Sequence, residues 1–272
     1  IASFISATQR FLEEKNFKFG GTLAFLITAD EEGIAEFGTK KVVKWLKKKR
    51  KKIDYCIVGE PTNPKKLGEM IKIGRRGSIN FTLNIIGSQG HVAYPDNSNN
   101  PIDLLPKLFN EFKKPFDTGS KKFQPTNLVI TSIDANNKVS NLIPSEVSIL
   151  FNIRFNDKFN SKKIIKIIDS RIKKITKNYN LVWKVSGESF INYSEFLTEC
   201  LVKSIKKVTN FNPELSTSGG TSDARFMSEI CPVLEFGSVG ETMHKTNEMV
   251  HTKDIEKLSE IYFEFLNNLF ED

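Results

Sequence analysis

The sequence predicts an α/β protein into which a second, smaller α+β unit is inserted. Near the start of the 272-residue chain, apolar runs at 22–28 and 53–58 flank an amphipathic stretch at about 36–48. This is the strand–helix–strand order of a parallel α/β unit. From residue 79 to residue 185 the pattern changes to β-α-β-β-α-β, which is the order of a ferredoxin-like unit. Long helical patterns return after it, so the two chain ends are expected to share the first domain.

The hydrophobic periodicity gives approximate bounds for each element. The predicted helices are 1–15, 36–48, 101–112, 161–177, 194–208 and 254–270. The predicted strands are 22–28, 53–58, 69–73, 79–86, 127–133, 146–155, 181–185 and 233–236. We therefore expect a first domain at 1–74 that is completed by 189–272, with the inserted domain at 75–188.

The composition is that of a protein with a packed core, because 39% of the residues are hydrophobic. No apolar run approaches the roughly 18 residues that a membrane span needs. The three cysteines, Cys56, Cys200 and Cys231, are widely spaced and lack the pairing of a metal or redox motif. We expect a cytoplasmic protein with buried or incidental thiols and no membrane partner.

The net charge of +8 includes a basic run at 47–52. The run follows an amphipathic stretch, so it suits the C-terminus of a helix, where cations are favoured. No nucleic-acid motif or stacking pattern accompanies it, and we expect no nucleic-acid partner. Weak attraction of polyanions through this run stays open as an alternative.

Three consecutive carboxylates follow the first apolar run, in the sequence Asp30-Glu31-Glu32-Gly33. One interpretation is that Asp30 caps the next helix and the glutamates lie in its first turn. The other interpretation places them at the carboxyl end of a buried strand, where open α/β sheets bind ligands. There, one glutamate can bind a metal ion while its neighbour acts as a general base on metal-bound water.

A second carboxylate motif, Gly59-Glu60-Pro61-Thr62, ends the run at 53–58. Parallel strands joined by a right-handed crossover bring their carboxyl ends to the same edge of the sheet. On this topology Glu32 and Glu60 can meet. Without such a neighbour, a loop carboxylate before a proline is usually exposed to solvent and has no specific role.

The chain has three histidines, His91, His244 and His251. His244 follows the predicted strand 233–236 and is well placed as a distant metal ligand, although a lone histidine is more often a surface residue. His251 lies near a helix start, and we interpret it as structural. The glycine-rich turn at 219–222, like Arg75 and Arg154, is weak evidence by itself for carboxylate binding.

Taken together, the motifs resemble the dinuclear zinc amidohydrolase and exopeptidase superfamily over essentially the whole chain. They are Thr28-Ala29-Asp30-Glu31-Glu32, Gly59-Glu60-Pro61-Thr62, Gly74-Arg75-Arg76-Gly77-Ser78, Gly90-His91-Val92-Ala93-Tyr94-Pro95, Ser140-Asn141-Leu142-Ile143-Pro144, Phe151-Asn152-Ile153-Arg154-Phe155, Ser218-Gly219-Gly220-Thr221-Ser222-Asp223 and His244-Lys245-Thr246-Asn247-Glu248. The third, fourth and seventh of these favour the desuccinylase branch, whose members cleave a succinyl amide. The resemblance implies a zinc-exopeptidase-like catalytic domain, in which helices flank a mixed sheet, and an inserted ferredoxin-like domain that is a lid and a dimerisation domain.

The resemblance also implies roles for individual residues. Glu31 would be the general acid and base, Glu32 and His244 would bind one zinc ion, and Glu60 would bind the other. Cobalt can stand in for zinc. His91, from the partner subunit of a homodimer, would donate a hydrogen bond to the developing oxyanion. The substrate would be held by Arg75, Ser78, Tyr94, Asn141, Arg154, Gly220 and Thr221.

In this superfamily the histidine of the second zinc and the aspartate that bridges both metals normally lie upstream of the residues that match this chain. The chain also begins inside the predicted helix 1–15 with no N-cap before it. We therefore expect that an upstream segment is missing and that the 272 residues alone are catalytically inactive. Two alternatives stay open: a related zinc deacylase or exopeptidase, such as an acetylornithine deacetylase, an aminoacylase or a carboxypeptidase, and a metal-free dimerisation module.

Overall fold

The computed structural model describes residues 1–33 and 35–271, and the chain divides into two compact units. The discontinuous unit comprises Ile1–Arg75 and Ile191–Asp272, and the central unit comprises Arg76–Phe190. None of the helices in the described part of the chain combines the length and the apolar character that a membrane span needs.

The α-helices are, in chain order, α1 (Ala2–Glu14), α2 (Thr39–Lys48), α3 (Leu105–Phe112), α4 (Ser161–Lys173), α5 (Glu195–Thr209), α6 (Ala224–Met227) and α7 (Thr252–Leu269). The strands are β1 (Cys56–Val58), β2 (Met70–Lys72), β3 (Gly77–Ile86), β4 (Asn127–Asp134), β5 (Glu146–Phe155), β6 (Tyr179–Gly187), β7 (Glu214–Ser216) and β8 (Val233–Glu235). Shorter elements are the 3-10 turns Pro95–Asn97 and Pro101–Leu104 and the two-residue strands Gly74–Arg75, Gly90–His91, Leu142–Ile143 and Phe190–Ile191.

In the discontinuous unit, the described residues form a mixed four-stranded sheet in the order β1-β8-β2-β7. β8 runs parallel to β1 and antiparallel to β2, and β2 runs parallel to β7. Helix α7 packs against both α1 and α5, and the three helices share a core that includes Phe11, Leu201, Phe236 and Ile261. The terminal helices α1 and α7 are in contact, so both ends of the sequence contribute to this unit.

The predicted strand 22–28 is wrong. These residues are extended but pair with no strand among the described residues. Leu23 packs against the core, whereas Phe25 is 50% exposed and Ile27 is 64% exposed. An extended segment becomes a strand only when another strand supplies hydrogen-bond partners, and an apolar pattern cannot report whether that neighbour is present.

The central unit has the predicted β-α-β-β-α-β order. Its described strands form an antiparallel sheet in the order β4-β5-β3-β6. Along β3, the buried residues Ile79, Phe81, Leu83 and Ile85 alternate with more exposed ones. Because the burial pattern repeats every two residues, one face of the sheet is directed towards the core, where it packs against α3 and α4.

The ends of two helices follow ordinary capping rules. The Asn160 side chain accepts a hydrogen bond from the N–H of Lys163 and caps the start of α4. α2 ends at Lys48 with Lys47 and Lys48 in its last turn, so the basic run does occupy a helix C-terminus.

We predict that Phe151→Ala will lower the free energy of unfolding of the central unit by about 3–5 kcal/mol, which is usual for loss of a buried aromatic ring. The Phe151 ring is buried and stacks on Phe81 with ring centroids 4.8 Å apart. Urea unfolding measures the change. Val129→Ala, at an exposed position of the same sheet, is the control and should change stability by no more than about 0.5 kcal/mol. Equal costs for the two substitutions would contradict the assigned core.

Candidate metal and substrate site

The carboxylates at 30–33 lie in a turn ahead of a helix. Oδ2 of Asp30 accepts hydrogen bonds from the N–H groups of Glu36, at 2.7 Å, and Phe37, at 2.8 Å. Helix α2 begins only at Thr39, after Gly38. The interpretation that Asp30 caps this helix is therefore wrong, because the side chain closes the preceding turn instead. Glu31 and Glu32 lie inside that turn.

Glu60 follows β1 at the place where the backbone passes close to the end of β8. A Cβ atom on Gly237 would lie 2.4 Å from the backbone oxygen of Glu60, which is closer than real Cβ atoms come. Glycine at 237 therefore permits this close approach. Because β1 and β8 are parallel neighbours, Glu60 lies at the carboxyl edge of both strands.

The carboxylates at this edge repel one another. Burial raises the pKa of Glu60 to about 7, with smaller contributions from the negative charges of Glu31 and Glu235. Burial also raises the pKa of Glu31, helped by Glu32 and Asp223. Each carboxylate thus raises the cost of ionising its neighbours.

His244 lies next to Glu32, with Nε2 of the histidine 3.6 Å from Oε1 of the glutamate. Both side chains are largely exposed, at 68% and 79%. The φ angle of His244 is 59°, in the left-handed region that few residues other than glycine occupy. The structure thus brings together the two side chains that the resemblance assigns to one zinc ion.

The side chains at this edge fit a divalent cation. Carboxylate oxygens and a neutral imidazole are ordinary zinc ligands, and clustered negative charge favours a cation. Glu32 and His244 supply two of the three or four ligands that zinc usually takes in proteins. Within residues 1–33 and 35–271, no group of three or more metal-binding side chains is close enough together to hold an ion.

Arg75 is held inside the discontinuous unit by a buried ion pair. Its Nε donates to Oε1 of Glu235 at 2.9 Å, and its Nη2 donates to Oε2 of the same carboxylate. Its Nη1 donates to the backbone oxygen of Ser218 at 3.1 Å. The guanidinium of Arg75 is therefore bound to Glu235 and to the loop at 218–223. The role of Arg75 in substrate binding stays a prediction.

The loop at 218–223 depends on a glycine beside this ion pair. Gly219 has a φ of 104°, and a Cβ atom there would lie 2.4 Å from Nη1 of Arg75. Gly220 is exposed, and apart from its two chain neighbours no described residue has a heavy atom within 4 Å of the position that a Cβ would take. The backbone at Gly220 and Thr221 is thus open on one side, as binding of a substrate carboxylate would need.

Sequence reasoning gave no role to Glu235, Lys72 or Asp223, although Asp223 ends one of the quoted motifs. Glu235 is 1% exposed and also accepts a hydrogen bond from Oγ of Ser222 at 2.7 Å. Lys72 donates to Oγ of Ser218 at 2.8 Å, and burial lowers its pKa to about 8. The available signal was a charged residue inside an apolar strand run, as in Val233-Leu234-Glu235-Phe236.

Asp223 lies on the other side of Ser222. Its Oδ2 accepts a hydrogen bond from Oγ1 of Thr39 at 2.6 Å, and its Oδ1 is buried with no partner among the described residues. This contact ties the loop at 218–223 to the start of α2. The negative charge of Asp223 also contributes to the raised pKa of Glu31 in the acidic turn.

The central unit brings His91, Tyr94 and Asn141 together. The two-residue strands Gly90–His91 and Leu142–Ile143 pair, and the N–H of Val92 donates to the backbone oxygen of Asn141 at 3.2 Å. The rings of His91 and Tyr94 have centroids 6.0 Å apart. Nδ1 of His91 accepts the N–H of Ala93 at 3.1 Å, so the neutral ring carries its proton on Nε2 and can donate from that atom.

Ser78 and Arg154 form a cross-strand pair on β3 and β5 of the same unit. Oγ of Ser78 accepts a hydrogen bond from Nδ2 of Asn152 at 3.1 Å. The guanidinium of Arg154 makes no hydrogen bond to any residue that the structure describes, and its Nη1 is buried without a partner. The structure therefore places these two predicted substrate residues side by side, away from any carboxylate of the described chain.

The chain resembles proteins of known family by sequence. The model of Peptidase family M20/M25/M40 matches residues 1–268. Succinyl-diaminopimelate desuccinylase from Pelagibacter ubique is 53% identical over 275 residues, which cover 99% of this chain and 71% of the relative.

Solved structures show the same fold. Aminopeptidase PepT from Bacillus cereus superposes with a TM-score of 0.77 at 20% identity, covering 99% of this chain and 70% of that one. The Bacillus subtilis YxeP protein, described as a dinuclear metal-binding peptidase of the M20 family, gives a TM-score of 0.67 at 14% identity, covering 99% of this chain and 70% of that one.

We predict that Glu235→Ala will destabilise the discontinuous unit by about 3–5 kcal/mol, because it leaves the buried Arg75 guanidinium without a counter-charge. The matched control is Glu229→Ala, which removes an exposed ion pair with Lys47 and should cost no more than about 1 kcal/mol. Urea unfolding followed by circular dichroism measures both. If both variants lose the same stability, the structural importance of the buried pair is contradicted.

The raised pKa of Glu60 predicts a pH dependence of stability in the metal-free chain. An unfolded glutamate has a pKa of about 4.3, and the folded value is about 7. Folding therefore favours the protonated form, so the contribution of this group is fully present below about pH 4.3 and is lost as the pH rises through about 7. Thermal unfolding in EDTA should show a smaller loss of Tm over that range for Glu60→Gln than for the unsubstituted chain. Parallel curves would refute the assignment.

Proposed function

The chain belongs to Peptidase family M20/M25/M40, and from this premise we propose that the protein hydrolyses the amide of N-succinyl-LL-2,6-diaminopimelate to succinate and LL-2,6-diaminopimelate. The observation that carries the proposal is the 53% identity over 99% of this chain to a relative named succinyl-diaminopimelate desuccinylase. The reaction is a step in the biosynthesis of diaminopimelate and lysine.

The metal in this proposal is a pair of zinc ions, for which cobalt can substitute. Glu32 and His244 would bind one ion, since their side chains lie 3.6 Å apart, and Glu60 would bind the other. When bound, the ions polarise the amide carbonyl and lower the pKa of a water molecule. The mutual repulsion of the carboxylates supports a cation at this edge of the sheet.

Glu31 has the chemistry of a general base and acid. Burial and neighbouring carboxylates raise its pKa, so its carboxylate holds a proton more readily than an ordinary glutamate does. Such a group takes a proton from the attacking water and returns it to the leaving amine. Its place in the turn beside Glu32 sets this group next to the proposed metal ligands.

The remaining residues bind the substrate in this proposal. His91 donates from Nε2 to the oxyanion, and its hydrogen bond from Ala93 fixes the donor on that atom. The open backbone at Gly220 and Thr221 receives a carboxylate. Further contacts to the substrate come from Arg75, Ser78, Tyr94, Asn141 and Arg154.

We also propose that the protein is a homodimer. The inserted domain at 75–188 would join the subunits, and His91 would act on the site of the partner subunit. The exposed side chains of His91, Tyr94 and Asn141 support this part of the proposal, because they are open to a second chain. A cytoplasmic location stays a prediction, and the free thiols of Cys56, Cys200 and Cys231 agree with a reducing compartment.

The test is zinc content together with turnover of succinyl-diaminopimelate and acetylornithine. Both are measured for this chain and for a version extended upstream through the histidine and aspartate that complete the metal site in the superfamily. We expect the extended version to bind two zinc ions and to prefer the succinyl substrate, and this chain alone to bind less zinc and turn over neither. Glu31→Gln in the extended version should keep the zinc and lower kcat at least about a hundredfold, as loss of a general base usually does.

Two outcomes would overturn parts of the proposal. Preference for acetylornithine would assign the protein to a sister deacylase. Stoichiometric zinc and full turnover by this chain alone would show that the ligand assignment is wrong and that other residues complete the site.

A further inference from the structure

Arg76 and Arg154 lie at the same end of the central sheet. Arg154 is on β5, where its cross-strand partners are Ser78 on β3 and Asn127 on β4. Arg76 immediately precedes β3, and its Nη1 donates to Oδ1 of Asn127 at 2.8 Å. Asn127 is therefore the common neighbour that brings the two guanidinium groups close together.

Neither guanidinium has a counter-charge among the residues that the structure describes. Among residues 1–33 and 35–271, no carboxylate oxygen lies within 4 Å of Arg76 or Arg154, whereas Arg10 and Arg75 each pair with a glutamate. Burial lowers the pKa of both, and the charge of Arg76 lowers the pKa of Arg154 further. Nε of Arg76 and Nη1 of Arg154 are buried donors for which the described part of the chain supplies no acceptor.

This arrangement is costly unless an anion completes it. A guanidinium that is partly removed from water loses hydration, and a second guanidinium nearby adds repulsion. Unsatisfied buried donors are rare in native proteins and call for a partner. A carboxylate supplies both the negative charge and acceptors with the planar geometry that arginine matches.

The neighbouring side chains leave one more donor for such an anion. Oγ of Ser78 accepts its hydrogen bond from Asn152, so the serine hydroxyl can still donate its own proton. Asn152 also donates to Oδ1 of Asn80 at 2.8 Å. These neighbours are neutral and polar, and they add no negative charge that would repel a carboxylate.

We propose that Arg76 contacts a carboxylate group of the ligand directly, in one subsite with Arg154 and Ser78, which the proposed function already assigns to the substrate. The inference rests on the proposed function only for the identity of the ligand, whose carboxylates come from the succinyl group or from diaminopimelate. It adds Arg76 to the residues that determine specificity and assigns to it direct contact with the anion.

A purely structural role for Arg76 makes a different prediction. Its Nη1 also donates to the backbone oxygen of Pro125 at 3.3 Å, so the side chain links the residues ahead of β3 to those at the start of β4. Arg76→Gln removes the charge and keeps an amide that can donate to the same acceptors. This variant therefore separates anion binding from the structural link.

The experiment measures binding of succinate and, separately, of LL-diaminopimelate to the full chain by calorimetry, in EDTA and at constant ionic strength. We expect Arg76→Gln and Arg154→Gln to weaken binding of the same ligand by about ten- to a hundredfold, which is the usual worth of a charge-assisted hydrogen bond. Lys162→Gln removes the same charge from an exposed position on α4, which packs on the opposite face of the sheet, and should change binding less than about twofold. The ligand that is affected identifies which carboxylate the subsite takes.

Unchanged binding by Arg76→Gln, with an unfolding transition like that of the unsubstituted chain, would overturn the inference. Absence of binding of both ligands to the unsubstituted chain would also overturn it. Because no metal and no turnover are involved, failure of the proposed hydrolysis would leave this result standing. If hydrolysis is confirmed but Arg76→Gln binds both ligands normally, the role of Arg76 is refuted and the proposed function stands.

Discussion

The buried ion pair between Arg75 and Glu235 is the interaction on which the candidate site in the discontinuous unit depends. Glu235 ends β8, and Arg75 follows β2. The loop at 218–223 joins them through the backbone of Ser218 and the hydroxyl of Ser222. Two charges removed from water cost several kcal/mol each, and only complete pairing offsets that cost. The pair therefore favours one arrangement of the two strands and the loop. Any other arrangement would leave one of the two charges buried without a partner, at its full desolvation cost.

The pairing of Arg75 with Glu235 also affects the pKa values of the neighbouring carboxylates. Arg75 lowers the pKa of Glu60, but the effects of burial, Glu31 and Glu235 together outweigh it, and the pKa remains at about 7. A guanidinium that is already paired bidentately with one carboxylate does little for the next. The acidic edge formed by Glu31, Glu32 and Glu60 thus keeps an excess of negative charge, and a divalent cation is the natural way to balance it.

The sequence predicted the central unit better than the discontinuous one, for a physical reason. The period of two along β3 and β5 is a local property of strands that have one buried face, and it survives without knowledge of the neighbours. Residues 22–28 carry an equally apolar pattern but find no partner strand among the described residues. Pairing is a long-range property, so hydrophobicity alone could not decide it. The same holds for Glu235, whose importance comes from an arginine 160 positions away.

The same difference between local patterns and long-range contacts applies to the candidate site. The motifs identified Glu32, Glu60 and His244 by type and order, and the contact between Glu32 and His244 agrees with that grouping. They could not show that Asp30 closes a turn instead of capping α2, because both arrangements use the same side-chain oxygen and differ only in where the helix begins. Capping patterns predict that a backbone donor is satisfied, but the identity of that donor depends on the path of the chain.

Two arginines that are adjacent in the sequence illustrate why charge compensation matters more than residue type. In Gly74-Arg75-Arg76-Gly77-Ser78 both side chains are candidates for carboxylate binding. Arg75 belongs to the discontinuous unit and is neutralised there by Glu235, whereas Arg76 belongs to the central unit and has no described acid near it. The boundary between the units falls between the two residues. The charge of Arg75 is thereby balanced within its own unit, whereas the charge of Arg76 is left for a ligand.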